Sequence, residues 1–273
     1  MKNKSKFPIL SSPVVMGILN ITPDSFYDGG RYSGKKEILN KVEEMISEGA
    51  EIIDIGGASS RPGALEVSEE EEWKRILPVI KEVRKLHSDI CISIDTYHSG
   101  IAARALEHGA DMINDISGGT FDNAMPAVIG KYDIPFVIMH IQGRPNKMQS
   151  DPEYNNVVDD ITSFFRQQID IFKSNGAQKL ILDPGFGFGK TLDHNFSLLK
   201  ELDAFVSLGY PVMAGLSRKS MINKVLKTKP EEALNGSSIL NTIALLNGAK
   251  ILRVHDVKEA VEAVKLVTKL KGI

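Results

Sequence analysis

The chain has 273 residues, 42% hydrophobic and 25% charged, enough apolar material for one large domain or two small ones. Its 33 basic and 35 acidic residues leave a formal net charge of −2, which excludes the basic footprint of a nucleic-acid binder. The apolar runs are strand-length, which argues against a membrane helix, and the basic start Met1-Lys2-Asn3-Lys4 lacks the apolar core expected of a signal peptide.

Taken in order, apolar runs predict strands at 14–19, 51–55, 91–94, 112–116, 136–139, 180–182, 211–214 and 251–254. Helical patterns fill the gaps at 35–47, 69–86, 99–108, 122–130, 156–174, 192–202, 220–225 with 231–246, and 257–270. In the second of these, Val79, Ile80, Val83 and Leu86 recur on one face. Gly49, Gly109, Gly176 and Gly248 sit just past helix ends, where a left-handed cap favours glycine. No break marks a domain boundary. Eight strands alternating with helices over about 250 residues predict a single-domain α/β fold, a (β/α)8 TIM barrel, ahead of a doubly wound open sheet. Residues 1–12 precede the first strand, and Phe7, Ile9 and Leu10 are expected to cover the barrel bottom. The single cysteine, Cys91, alternates with Ser93 and Asp95 on a buried strand. It excludes an internal disulfide, reads as packing rather than a nucleophile, and fits a reducing cytoplasm.

In such barrels chemistry sits at the C-terminal ends of the strands. Those ends carry Asn20, Asp54, Asp95 with Thr96, Asn114 with Asp115, His140, Asp183, the run Ser217 to Ser220, and Arg253 with His255. Asp95, Asn114 and Asp183 lie on strands three, four and six and converge from one side. Two carboxylates and an amide suit the guanidinium-like edge of a 2-amino-4-oxo heterocycle, with Lys219 as a donor to its carbonyl or ring nitrogen. Arg253, His255, Asn20 and Arg61 follow strands eight, one and two, and read as an anion site. The six histidines are scattered, so a three-ligand zinc site is not expected. The loops 20–30 and 56–63 are polar and glycine-bounded, and are expected to close over a substrate.

The stretch Leu180-Ile181-Leu182-Asp183-Pro184-Gly185-Phe186-Gly187-Phe188-Gly189-Lys190 superficially suggests a phosphate loop. Pro184 stands where the first glycine of that pattern belongs, and proline has no N–H to offer. The stretch is therefore a strand, a terminal carboxylate and a loop, with Lys190 expected as a loop or surface residue.

Eight motifs then fall one per strand and in order. They are Met16-Gly17-Ile18-Leu19-Asn20-Ile21-Thr22-Pro23-Asp24-Ser25-Phe26, Asp54-Ile55-Gly56-Gly57-Ala58-Ser59-Ser60-Arg61-Pro62-Gly63, Ser93-Ile94-Asp95-Thr96, Ile113-Asn114-Asp115-Ile116, Met139-His140, Asp183 to Lys190, Gly215-Leu216-Ser217-Arg218-Lys219-Ser220 and Arg253-Val254-His255-Asp256-Val257. From about Val14 to the C-terminus the chain resembles the dihydropteroate synthases. The resemblance implies condensation of (7,8-dihydropterin-6-yl)methyl diphosphate with 4-aminobenzoate, giving 7,8-dihydropteroate and diphosphate in folate biosynthesis. It implies pterin held by Asp95, Asn114, Met139, Asp183 and Lys219. Diphosphate falls to Asn20, Arg61, Arg253 and His255, with Asn20 as ligand to the cofactor Mg2+. It implies 4-aminobenzoate framed by Phe26, Ser60, Pro62, Phe188, Lys219 and Ser220, and Asp24 ordering the catalytic loop. It further implies a sulfonamide target, and a homodimer pairing through the 236–246 region with its apolar Ile239, Leu240, Ile243, Leu245 and Leu246. Three positions depart from the family pattern: Ala58 where many members carry Glu, Ser60 where Thr is usual, and Tyr27 where a small residue is common. A pterin- or folate-binding methyltransferase module and an inactive pterin-binding paralogue remain the alternatives.

Overall fold

The computed structural model describes residues 6–8, 10–21, 33–58, 67–145, 147–148 and 152–272. Eight parallel strands form one sheet: β1 Val14–Asn20, β2 Ile52–Gly56, β3 Cys91–Asp95, β4 Met112–Asp115, β5 Phe136–Met139, β6 Leu180–Asp183, β7 Met213–Ala214 and β8 Ile251–Val254. The order is β6-β5-β4-β3-β2-β1-β8-β7. A parallel bridge between Leu182 and Val212, with the Leu182 N–H donating to the Pro211 carbonyl at 2.9 Å, brings β7 back to β6 and closes the barrel.

Strand alternation sends every second side chain inward. Val14, Met16, Ile52, Cys91, Met112, Val137, Ile181, Met213 and Ile251 form the inner core, at least one from each strand, and all are buried. Phe7 and Leu10 pack against this layer from below, as expected; Ile9 lies outside the described residues. Cys91 is fully buried here, and burial pushes its thiol well above the usual range, as suits a packing residue rather than a nucleophile.

The outward-facing strand residues pack against helices α1 Ser33–Ser47, α2 Glu69–Leu86, α3 Ser99–Glu107, α4 Met125–Tyr132, α5 Val157–Ser174, α6 Leu192–Lys200, α7 Leu202–Val206, α8 Ser220–Leu226, α9 Leu234–Leu246 and α10 Val257–Lys271. Helix α2 illustrates why these segments are helical. Ser68 caps it by accepting from the Glu71 N–H, four glutamates fill its first turn, and Arg84 and Lys85 complement the dipole in its last. Ile76, Val79, Ile80 and Val83 bury its apolar stripe, which ends a turn earlier than expected, since Leu86 is exposed. Gly49, Gly109, Gly176 and Gly248 have φ of 104°, 106°, 98° and 101°, one helix-to-strand turn used four times.

Most boundaries shift by a residue or two, and three helices depart further from the sequence expectation. The helix expected at 122–130 starts at Met125, because the Asp122 side chain holds the preceding turn and ties it to the start of α3. Its carboxylate accepts from the Ala124 N–H at 2.9 Å and from the Ser99 N–H at 2.8 Å. The helix expected at 192–202 breaks at Glu201 into α6 and α7, a turn that lets Leu202 and Phe205 both reach the core. The helix expected at 231–246 begins with a separate 3-10 turn, Pro230–Glu232, before α9. No helix among the described residues is long and apolar enough to cross a membrane.

Candidate active site

Two residues beyond the inner apolar layer, the same alternation turns Asp54, Ser93, Asn114, Met139, Asp183 and Arg253 inward on their own strands. Gly215 falls at the corresponding position just past β7. The barrel mouth thus changes from wholly apolar to strongly polar within one residue pair. Asp54 is fully buried and anchors this layer. Its Oδ2 accepts from Arg253 Nε at 2.7 Å and from Asn114 Nδ2 at 3.0 Å. The other end of the guanidinium, Nη2, donates to Asp95 Oδ2 at 2.6 Å. The sequence places Arg253 in an anion site apart from Asp95, Asn114 and Asp183; the structure joins the two groups through this one side chain.

Charge and burial oppose each other here. Burial pushes the Asp95 carboxyl up to about 7, Arg253 pulls it down, and Asp54 beside it adds to the rise. Asp183 is also raised by burial, against the Gly185 N–H and Lys219. Burial lowers Lys219 to about 8, with Asp183 acting the other way. Two cations and three carboxylates therefore share one recess, in which burial works against the charge of Asp95, Asp183 and Lys219.

The loop after β6 shapes one side of that recess. Asp183 Oδ1 accepts from the Gly185 N–H at 2.7 Å, which leaves Oδ2 facing the space beside Gly215. Gly185 has φ of 69°, and a Cβ on it would lie 2.0 Å from the His140 carbonyl, so only glycine fits. Phe188 is buried, with Lys219 Nζ 4.1 Å from its ring centroid. Lys190 is not a surface residue. It is 4% exposed, and its Nζ reaches His140 Nδ1 at 3.1 Å, the His140 carbonyl at 3.2 Å and the Phe188 carbonyl at 2.9 Å. The glycines at 185, 187 and 189 let the loop double back, and that turn carries the lysine inward where a linear reading leaves it outside.

The other expected site residues distribute as follows. Met139 joins Ile116, Met148 and Phe188 in a small apolar cluster flanked by Tyr97 and Ile141. Asn20 ends β1, and β1 lies between β2 and β8, so Asn20, Arg253 and His255 occupy one stretch of the rim. The His255 N–H donates to Ser217 Oγ at 3.2 Å, tying the β8 and β7 loops together. Ser220 is exposed at the first position of α8. Asp24, Phe26, Tyr27, Ser60, Arg61 and Pro62 lie outside the described residues.

With this geometry established, three comparisons bear on the chain. A model of the pterin binding enzymes matches residues 16–255. The dihydropteroate synthase of Haemophilus influenzae is 47% identical over 259 residues, 94% of each chain. The chain belongs to the pterin-binding enzyme family, among its dihydropteroate synthases. Solved dihydropteroate synthases share its fold. The Yersinia pestis enzyme in a sulfonamide drug complex has a TM-score of 0.91 at 41% identity, covering 100% of both chains. The Xanthomonas albilineans enzyme with 4-aminobenzoic acid has a TM-score of 0.89 at 36% identity, covering 97% of this chain and 95% of that one.

Within this dihydropteroate synthase fold, sequence reasoning named Asp54 and His140 only as strand ends, without a role. The parity of Asp54 with the inward Ile52 was the signal that places it inside. Burial, with Lys190 beside it, pushes His140 down to about 2, so the ring is neutral and accepts from Lys190. Asp115, adjacent to Asn114, faces the other way. Its carboxylate accepts from the Ser117 N–H and hydroxyl at 2.7 Å each and from the Gly119 N–H at 2.9 Å, and so holds the β4 loop. Arg218 forks onto Asp256, Nε to Oδ2 at 3.0 Å and Nη2 to Oδ1 at 2.6 Å, the second tie between the β7 and β8 loops.

Proposed function

We propose that the chain condenses (7,8-dihydropterin-6-yl)methyl diphosphate with 4-aminobenzoate, giving 7,8-dihydropteroate and diphosphate. The observation that carries the reading is the Asp95–Arg253–Asp54–Asn114 network facing Asp183 and Lys219 across one recess. Asp183 Oδ2, Asn114 and Asp95 are the partners for the amino and ring N–H edge of the pterin, a planar pairing of donors with acceptors. Gly215 leaves the space before Asp183 open. Met139, Ile116 and Tyr97 supply an apolar surface beside it.

The bond that breaks joins the pterin methylene to the diphosphate oxygen, and its electron pair leaves with diphosphate. The methylene cation is stabilised by the electron-rich ring and by the carboxylates Asp95 and Asp183 beside it. The neutral arylamine nitrogen then attacks, forms the C–N bond and gives up one proton to solvent. Arg253 and His255, with Arg61 from the β2 loop, are assigned to charge on the departing diphosphate. Phe188, with Ser220 and, from the loops, Phe26, Ser60 and Pro62, is assigned to the arylamine; Asp24 is assigned to loop order.

Mg2+ is the assigned cofactor. A side chain on Gly56 would meet Asn20 Oδ1 at 3.5 Å and Asp95 Oδ2 at 3.8 Å, so the absent Cβ leaves a space lined by hard oxygen donors, which suits this ion. Asn20 would hold it, and when bound it would neutralise charge on the diphosphate. A homodimer through α9 and α10 is supported by their exposed Ile239, Ile243, Leu246, Leu266 and Leu270. A cytoplasmic setting is supported by the lone buried thiol. The test supplies pterin diphosphate, 4-aminobenzoate and Mg2+ to the purified chain. Stoichiometric diphosphate and 7,8-dihydropteroate are expected, with inhibition by a sulfonamide competitive against 4-aminobenzoate; pterin binding without coupling would overturn the reading.

A further inference from the structure

The loop 185–190 has one backbone hydrogen bond within it, from the Phe188 N–H to the Gly185 carbonyl at 3.1 Å, and three of its six residues are glycines with positive φ. Side chains supply its other ties. Asp183 takes the Gly185 N–H at 2.7 Å, Asn195 Oδ1 takes the Gly187 N–H at 2.6 Å, and Tyr154 donates to the Gly189 carbonyl at 2.8 Å. Among these groups Lys190 alone reaches the carbonyl of the residue that bears the ring, Phe188. The same nitrogen grips His140 twice, at Nδ1 and at the carbonyl, and His140 follows directly on β5. The contact therefore pins the loop to a rigid strand. A buried lysine is costly unless its hydrogen bonds are met, and here all three polar partners are backbone or histidine atoms, none a carboxylate.

We propose that Lys190 is a positioning residue that sets the Phe188 ring as the wall of the arylamine site through its bond to the Phe188 carbonyl. The proposal rests on the assignment of Phe188 to 4-aminobenzoate made above. Phe188 in turn carries Lys219 Nζ against its face, so the pin also fixes where that amine sits relative to the two substrates.

The test is Lys190→Met, which keeps length and apolar bulk but removes the donor. Amide hydrogen exchange without substrates is expected to rise at 186–189 and to stay unchanged in β5 and β6. The KM for 4-aminobenzoate is expected to rise roughly ten-fold, the worth of one well-placed buried hydrogen bond, with the KM for pterin diphosphate held within about two-fold. In a cycle with Phe188→Leu, the double variant is expected to lose no more than Phe188→Leu alone, because Lys190 acts through that ring. Additive losses, or unchanged exchange at 186–189, overturn the proposal. Exchange needs no turnover, so failure of the proposed reaction and failure of this inference are read separately. Lys190→Gln retains a donor and is expected to restore most of the protection. If Lys190→Met does not fold, the same exchange comparison is made on Lys190→Leu, which also lacks the donor; greater exchange at 186–189 than in wild type supports the pin and equal exchange overturns it.

Discussion

Arg253 bridges Asp54 and Asp95, with Nε 2.7 Å from one carboxylate and Nη2 2.6 Å from the other. One guanidinium thus answers a buried acid on β2 and a partly buried one on β3 while sitting on β8. A substrate that brings its own guanidinium-like edge and its own anion can exchange partners with this triad: the edge takes over Asp95 and the anion takes the arginine, while Asp54 stays with Asn114.

Removing the guanidinium is expected to damage both halves of that exchange. For Arg253→Gln, kcat should fall about 10²–10³-fold, the usual cost of losing a donor aimed at developing charge. Pterin binding should also become pH dependent. Asp95 already sits near 7, because burial outweighs the pull of Arg253. Without that pull it rises further, so the acid is protonated at neutral pH and cannot accept from the ring edge. Calorimetry with 6-hydroxymethylpterin is expected to show weaker binding at pH 6 than at pH 9 in the variant. A pH-independent affinity would refute the coupling.

Asp183→Asn separates two roles of one carboxylate. The amide oxygen can keep the bond from the Gly185 N–H, so the loop should hold its shape. What is lost is the second acceptor, which faces the open space by Gly215. Pterin affinity is expected to fall on the order of 10–100-fold, as for a charged hydrogen bond removed from a buried site, with thermal unfolding little changed. Unchanged affinity by calorimetry would sink the assignment.

The barrel was legible because its information is periodic. Apolar runs and the four capping glycines repeat at each helix-to-strand turn, and Gly49, Gly109, Gly176 and Gly248 all take positive φ. Strand-end residues such as Asp95, Asn114 and Asp183 followed from counting along strands. The inward turn of Lys190 and the reach of Arg253 to Asp54 and Asp95 did not, because a long side chain can cross the mouth to partners on other strands, and spacing along the chain says nothing about where it ends. Glu72 was missed for a related reason: it reads as one of four glutamates in a solvated first turn, yet the helix brings it against the β3 loop.

Glu72 offers a stability test with a definite sign. It is 2% exposed, its Oε1 has no hydrogen-bond partner among the described residues, and His98 Nε2 lies 4.0 Å from Oε2. Burial raises its carboxyl to about 7; Thr96 lowers it, while Asp95 and Glu69 add to the rise and Arg75 opposes it. A carboxyl whose folded value exceeds its unfolded value favours the fold at low pH. That contribution is complete below about 4.5 and is lost as pH rises to about 7. Glu72→Gln lacks the titration. Relative to wild type it should gain up to about 3 kcal/mol between pH 4.5 and pH 8, from a shift of roughly 2.5 pH units. Chemical denaturation at the two pH values measures this, and an equal difference at both would contradict it.

The last prediction concerns assembly. On α9, Leu240 and Leu245 are buried, whereas Ile239, Ile243 and Leu246 are 51%, 36% and 44% exposed. The neighbouring α10 adds Leu266 at 73% and Leu270 at 74%. The five apolar positions of α9 expected from the sequence to pair therefore divide: Leu240 and Leu245 serve the core, and the other three are left outward, where a second copy would cover them. Burying each side chain against a partner contributes on the order of 1–2 kcal/mol, and a glutamate placed there adds a desolvation cost of several more. Ile239→Glu with Ile243→Glu should thus yield a monomer by sedimentation at micromolar concentration, with wild type a dimer. Because both side chains point away from the barrel, the variant should keep its melting transition apart from the part due to association. A wild-type monomer under the same conditions, or a double variant that still sediments as a dimer, would show that this face does not pair.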